Sequence, residues 1–398
     1  MCNFEKCNTT INQQRAMKYF IIAGEASGDI HGAELINSLR ALDETAEIRF
    51  FGGDKMAQAA GTQPIVHYKD MAYMGIVEVV KHLGPILGFL KTAKAVIDDY
   101  APDAVVLIDY PSFNLKVAKY AHKRGVKTFY FISPKVWAWK EYRVKQIKKY
   151  ITTLYSILPF ETEFFARHHY AVEYVGNPTV GEIAEARLHF ADADVFKWKN
   201  GLRGLPIIAL VPGSRVKEIL DNLPIMLEAS KRYLDDYQIV IAGAPGVDRA
   251  LYDEVLAQAG AKRDAVVIEQ QTFELVSHAR VALVTSGTAT LETAVLGTPQ
   301  VVCYRMGGSK WLKRIYPYVL KVKYVSLPNL IAGTEVIPEL LLSDCTADAV
   351  AAHLESLLPD GEARDAMLRG YETMKMRLGT ARCTDTAARR MMDTLLMK

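Results

Sequence analysis

Four short segments place glycines, small hydroxyls, carboxylates or a forked cation where an apolar run hands over to a helix pattern. The first is AGEASGD, residues 23–29. Gly24 and Gly28 allow a tight turn, and the helix after it would aim its amides at an anion. The spacing is not G-x-G-x-x-G, and Glu25 and Asp29 would repel a pyrophosphate. The segment therefore reads either as an anion-accepting turn or as a plain turn with Asp29 as helix cap. The second is LIDYPSFN (107–114), where Asp109 leaves the strand. A carboxylate at that point suits a general base for a hydroxyl proton, and equally an Asx turn.

The third and fourth segments lie in the second half. LVPGSR (210–215) follows a strand with Gly213, Ser214 and Arg215, whose permanently charged fork matches phosphate oxygens. SGTATLE (286–292) sets Ser286, Gly287 and Thr288 at a turn and Glu292 one turn into the helix. Small hydroxyls, a glycine and free amides make a diphosphate cradle. Glu292 can accept from a ribose diol, as acidic residues do in dinucleotide sites. Metal ligation is not expected. Asp192-Ala-Asp194 lies in a charged stretch, and His168-His169 has no partner at ligand spacing.

These segments need elements to hold them. Short continuous apolar runs at 18–23, 48–51, 104–109, 128–132, 153–158 and 172–175 read as strands covered on both faces. A second series follows at 206–211, 237–242, 265–268, 281–285 and 299–304. Between the series, 181–204 is charged and reads as a linker. The pattern predicts an α/β protein of two doubly wound, Rossmann-like domains facing across a cleft. The expected spans are 17–185 and 203–360, with a loose extension at 1–16 and helices over 361–398. An apolar stripe of Ala388, Met391, Met392 and Leu395 suggests that those helices pack back on the first domain, or exchange between two copies.

Composition narrows the function classes. The 398 residues carry 48 Lys+Arg against 45 Asp+Glu, a net +3, which is too balanced for a dedicated nucleic-acid binder. The most apolar stretches are cut by charge before a membrane span is reached. Five cysteines without a CxxC pair fit a reduced, cytoplasmic compartment. Two stretches suit a lipid surface. Residues 71–94 are apolar with Lys81, Lys91 and Lys94 interspersed, and predict paired amphipathic helices, with Val79, Leu83 and Leu87 as acyl contacts. Residues 305–323 hold six basic residues, Lys313 and Arg314 among them, beside Trp311, Tyr316 and Tyr318. A core helix and a solvated basic face are the plain alternatives.

With GEASGD, IDYPSFN, PGSR, SGTATLE and SLPNLIAG in this order, the chain resembles the lipid-A-disaccharide synthase family from about Met17 to its end. The resemblance implies a two-domain glycosyltransferase of the B-type fold that needs no cofactor. It implies transfer of a 2,3-diacylglucosaminyl group from UDP to 2,3-diacylglucosamine 1-phosphate, with inversion, at the cytoplasmic face of the inner membrane. It assigns Asp109 as base, Glu25, Ser27, Gly28 and Asp29 to the first loop, Asn329 to a late polar site, and Arg215 with Ser286–Thr288 and Glu292 to UDP. Ser112 stands where a second Asp is common, and Leu342 where the pattern usually has Gln. A UDP-sugar 2-epimerase and a non-enzymatic carrier of acylated sugar phosphates are the competing readings. The first needs no acylated acceptor, and the second no SGTATLE.

Overall fold

The computed structural model describes residues 15–71, 83–305 and 323–397. They form two compact units. One comprises the described residues of Met1–Pro134, Lys145–Tyr155 and Thr384–Lys398, and the other those of Lys135–Val144 and Ser156–Cys383.

The first unit holds β1 (Lys18–Ala23), β2 (Glu47–Gly52), β3 (Val66–His67), β4 (Ala104–Ile108), β5 (Lys127–Phe131) and β6 (Thr153–Ser156). Their order across the sheet is β3-β2-β1-β4-β5-β6, and the paired registers are parallel. All five residues of β4 are buried, which is why its run is apolar without alternation. The chain steps one way from β1 to β3 and the other way from β4 to β6. The reversal falls between β1 and β4, so the turns after those two strands share the switch point where such sheets bind ligands.

After β7 (Glu173–Tyr174), the second unit repeats the device. Its strands are β8 (Ile207–Val211), β9 (Gln238–Gly243), β10 (Ala265–Glu269), β11 (Ala279–Val284), β12 (Gln300–Tyr304) and β13 (Glu339–Leu341). Their order is β10-β9-β8-β11-β12-β13, again with parallel registers. The switch point lies between β8 and β11, which carry PGSR and SGTATLE at their carboxyl ends. Both expected strand series are present. The strands β3 and β13 escaped the sequence reading because two or three residues carry no usable periodicity.

The domain limits differ from expectation. The stretch read as a linker packs into the second unit. Ile183 and Phe196 are buried in its core, Arg187 Nη2 donates to the Leu296 carbonyl at 2.8 Å, and the Ala191 amide donates to Glu274 at 2.7 Å. Single apolar residues among charges gave no signal of this. The C-terminal helices also divide. Glu362–Leu378 stays with the second unit, where the Tyr371 hydroxyl donates to Thr298 O at 3.1 Å. Only the helix Cys383–Leu396 goes to the first unit from Thr384 onward, burying Ala388 and Met391, with the Ser38 hydroxyl 2.7 Å from Asp385.

Asp29 corrects one site expectation. It is buried, and its carboxylate accepts from the amides of Gly53 (2.6 Å), Lys55 (3.1 Å) and Met56 (3.1 Å). Those are donors at the start of the helix Asp54–Ala60. Asp29 thus caps a neighbouring helix across the β2 turn, and three of its roughly four acceptor sites are committed there. Asp29→Ala is expected to lose about 1–3 kcal/mol of stability, since three amides lose their acceptor. Urea denaturation checks this, and an unchanged midpoint contradicts the capping role.

Candidate active site

In the first unit the switch point is shaped by backbone strain. Asp109 and Tyr110 are both left-handed, at φ 44° and 46°, and Ile132 after β5 is left-handed at 65°. Such conformations are costly for residues with a side chain, above all a β-branched one. Buried donors hold the turn. Asn114 Nδ2 donates to the carbonyls of Asp109 (2.8 Å) and Ile108 (3.1 Å), and the Tyr130 hydroxyl also donates to the Asp109 carbonyl. The Asn114 amide donates to Tyr110 O at 3.1 Å and starts the helix Pro111–Lys123. The Tyr110 ring lies over Gly24, where a Cβ would stand 2.4 Å from a ring carbon. This is why the turn after β1 needs glycine at that position.

Glu25 and Ser27 are exposed at the first turn of the helix Ala26–Leu42, while Gly28 is buried against Ala23 and Ile108. Burial, and then the negative charge of Glu25, push the Tyr110 phenol up to about 12. The loops after β1 and β4 therefore meet, and Glu25, Ser27, Asp109 and Tyr110 gather there. Ser112 is exposed in the first turn of its helix.

In the second unit, the Thr285 amide donates to Val211 O at 2.9 Å, which sets the two phosphate-friendly turns side by side. Gly213 has φ 121°, and a Cβ there would meet the Glu218 Cβ at 2.6 Å. Glu218 accepts from the amides of Ser214 (3.0 Å) and Arg215 (3.3 Å), and Arg215 Nη1 pairs with it at 3.0 Å. The Arg215 side chain is 81% exposed. An ion pair so open to water is worth about 0–1 kcal/mol, so the guanidinium is free to turn to a phosphate. Gly287 precedes the helix Thr288–Leu296, and Ser286, Gly287 and Thr288 are at least partly exposed.

Glu292 has no hydrogen-bond or ion-pair partner among the described residues. Burial, and then the charge of Glu182, push its carboxyl up to about 7. A half-buried carboxylate without donors has its full accepting capacity open. Asn329 is the opposite case and corrects a second expectation. It is fully buried, accepts from the amides of Val336 (2.7 Å) and Ile337 (3.0 Å), and donates to Ile337 O (2.9 Å) and Glu339 (2.8 Å). Its bonds brace the connection into β13 and leave nothing for a substrate. Leu342 is likewise buried, so no polar contact replaces the family's Gln there.

Sequence reasoning missed a concavity of about 400 Å³ at the carboxyl ends of β9 and β10, lined by Pro245, Gln270, Gln271, Thr272 and Phe273. Gln270 is left-handed at φ 59°. The signal was available in QQTFE directly after a strand. Of the expected lipid contacts, Leu87 is 59% exposed on the helix Leu83–Tyr100. Val79, Lys313 and Arg314 lie outside the described residues, as does the Leu83 side chain. No helix among the described residues is long and apolar enough to cross a membrane.

Comparison with known proteins agrees with this layout. Residues 19–390 match the family model for lipid-A-disaccharide synthetase. The lipid-A-disaccharide synthase of Koribacter versatilis (strain Ellin345) is 36% identical over 386 residues, covering 96% of this chain and 98% of the relative. That of Myxococcus xanthus (strain DK1622) is 36% identical, covering 95% and 97%. Among solved structures, a putative UDP-N-acetylglucosamine 2-epimerase from Listeria monocytogenes has a TM-score of 0.64 at 12% identity, covering 95% of both chains. The UDP-GlcNAc 2-epimerase from Neisseria meningitidis bound to UDP-GlcNAc has 0.62 at 13%, covering 96% and 100%. At such identities the epimerase likeness establishes the fold alone. The near-complete family match and the synthase relatives decide between them: the chain belongs to the lipid-A-disaccharide synthase family, glycosyltransferases that build the lipid A disaccharide.

Proposed function

We propose that this enzyme joins the sugars by one inverting displacement, with Asp109 as general base. The observation that carries the reading is the doubly left-handed turn at Asp109–Tyr110, a strain that persists where a site requires it. Asp109 takes the proton of the 6-hydroxyl of 2,3-diacylglucosamine 1-phosphate as its oxygen attacks the anomeric carbon of UDP-2,3-diacylglucosamine. The C1–O bond to UDP breaks, giving the β-1,6 disaccharide 1-phosphate and UDP. Glu25 and Ser27 border the acceptor. Arg215 and the Ser286–Thr288 turn meet the charge that grows on the diphosphate. Glu292 accepts from the ribose diol, and the concavity beside Phe273 suits a flat pyrimidine.

The substrates carry acyl chains, so the reading extends to peripheral contact with the cytoplasmic face of the inner membrane. Residues 71–94 supply apolar contact through Val79, Leu83 and Leu87, and 305–323 supply basic contact through Lys313 and Arg314.

Four outcomes test these assignments. Asp109→Asn should lower turnover about 10²–10⁴-fold while leaving UDP affinity near wild type; near-normal UDP release with the lipid acceptor present means the base lies elsewhere. The Glu292 carboxyl is charged above its folded pKa of about 7 and protonated below it. UDP should therefore bind about tenfold more weakly at pH 6 than at pH 8, and Glu292→Gln should flatten that dependence. Because the folded pKa exceeds the unfolded value, ionisation of Glu292 destabilises the fold as pH rises from about 4.5 through 7. Glu292→Gln should accordingly raise the melting temperature at pH 8 but not at pH 4, and calorimetry reads both. Vesicle co-sedimentation should weaken in Val79→Ser/Leu83→Ser/Leu87→Ser and in Lys313→Glu/Arg314→Glu; folded variants that sediment like wild type would rule both stretches out.

A further inference from the structure

The first unit carries a basic face that the reaction does not use. The connections β3→β4, β4→β5 and β5→β6 all step the same way across the sheet, so right-handed crossovers put their helices on one side. These are Leu83–Tyr100, Pro111–Lys123 and Val144–Tyr150. Direct contacts join them. Lys94 Nζ stands 5.3 Å over the Tyr120 ring, the Tyr120 hydroxyl donates to Asp98 at 2.6 Å, and the His122 and Tyr150 rings are 5.6 Å apart.

Each helix carries lysines at one-face spacing: 91 and 94, then 116, 119 and 123, then 145, 148 and 149. All but Lys94 are exposed. The only acids on these helices are Asp98 and Asp99, and Asp98 already pairs with Arg124 at 2.9 Å. Lys91, Lys116, Lys119, Lys123 and Lys145 form no ion pair among the described residues. The whole chain is only +3, so positive charge is concentrated here and the remainder is net acidic.

We propose that this three-helix face is the electrostatic surface by which the enzyme lies on a bilayer of anionic headgroups. The proposal rests on the lipid-substrate reading above and adds a surface to it. One helix supplies both chemistries: exposed Leu87 stands one turn before exposed Lys91. An apolar residue entering the acyl boundary with lysines at headgroup level is the interfacial arrangement, whereas a nucleic acid offers nothing to an exposed leucine.

The test measures partition of the full-length protein onto phosphatidylcholine vesicles with and without phosphatidylglycerol. Wild type should prefer the anionic vesicles and lose that preference as salt rises. Lys116→Gln/Lys119→Gln/Lys123→Gln and Lys145→Gln/Lys148→Gln/Lys149→Gln should each lower partition onto anionic vesicles about 100-fold at 0.1 M salt. Both should retain wild-type turnover on detergent-dispersed substrates. Variants that partition like wild type, equal partition onto neutral vesicles, or displacement of the vesicles by single-stranded RNA would each overturn the proposal. A wild type inactive in detergent would instead overturn the glycosyl-transfer reading, and the partition data would stand apart from it.

Discussion

The turn after β4 sets two successive side-chain-bearing residues, Asp109 and Tyr110, in the left-handed region. At about 1–3 kcal/mol each, that geometry does not survive without compensation. Here it comes from elsewhere in the first unit: the Asn114 side-chain Nδ2 and the Tyr130 hydroxyl both hold the Asp109 carbonyl, and Gly24 makes room for the Tyr110 ring. Three neighbouring strands, β1, β4 and β5, therefore cooperate to aim one carboxylate. The direction of the Asp109 side chain is set by its backbone, and that backbone by its neighbours.

Carboxylates and amides in this protein sort by how many donors they already hold. Asp29 accepts three amide hydrogens, and Glu339 accepts from Val325, Ser326 and Asn329. These groups are buried or half-buried, most of their lone pairs are occupied, and removing a partner would strand them. Glu292 holds none, and Glu182 beside it makes ionisation harder still. In the proposed reading a ligand's hydroxyls relieve that cost. Arg215 lies between these extremes. Its pairing with Glu218 orders the turn, yet in water the bond is weak enough to exchange.

Both units use the same topological device. Strand order reverses at β1/β4 and at β8/β11, the position beside which ligands bind in open sheets of this kind. The epimerases share this architecture, so the architecture cannot separate a transferase from an epimerase. The family match over 19–390 makes that separation.

Much of the layout was legible in the sequence. A parallel strand covered on both faces must be a short continuous apolar run, so eleven such runs revealed the strands and fixed which residues follow their ends. That alone placed Glu25, Asp109, Arg215 and Ser286–Thr288 at turns after strand ends; the strand order that makes these turns switch points came from the fold. Tertiary structure decided which polar residues remain available. Asp29 is bonded to Gly53, Lys55 and Met56, and Asn329 to a backbone seven or eight residues on, and no local pattern records such pairing. Tertiary packing also moved 181–204 into the second core through Phe196 and brought Pro245 and Phe273 together. Periodicity reports which face of an element is buried. It does not report whose donors meet a buried carboxylate, because that depends on chain segments brought together only by folding.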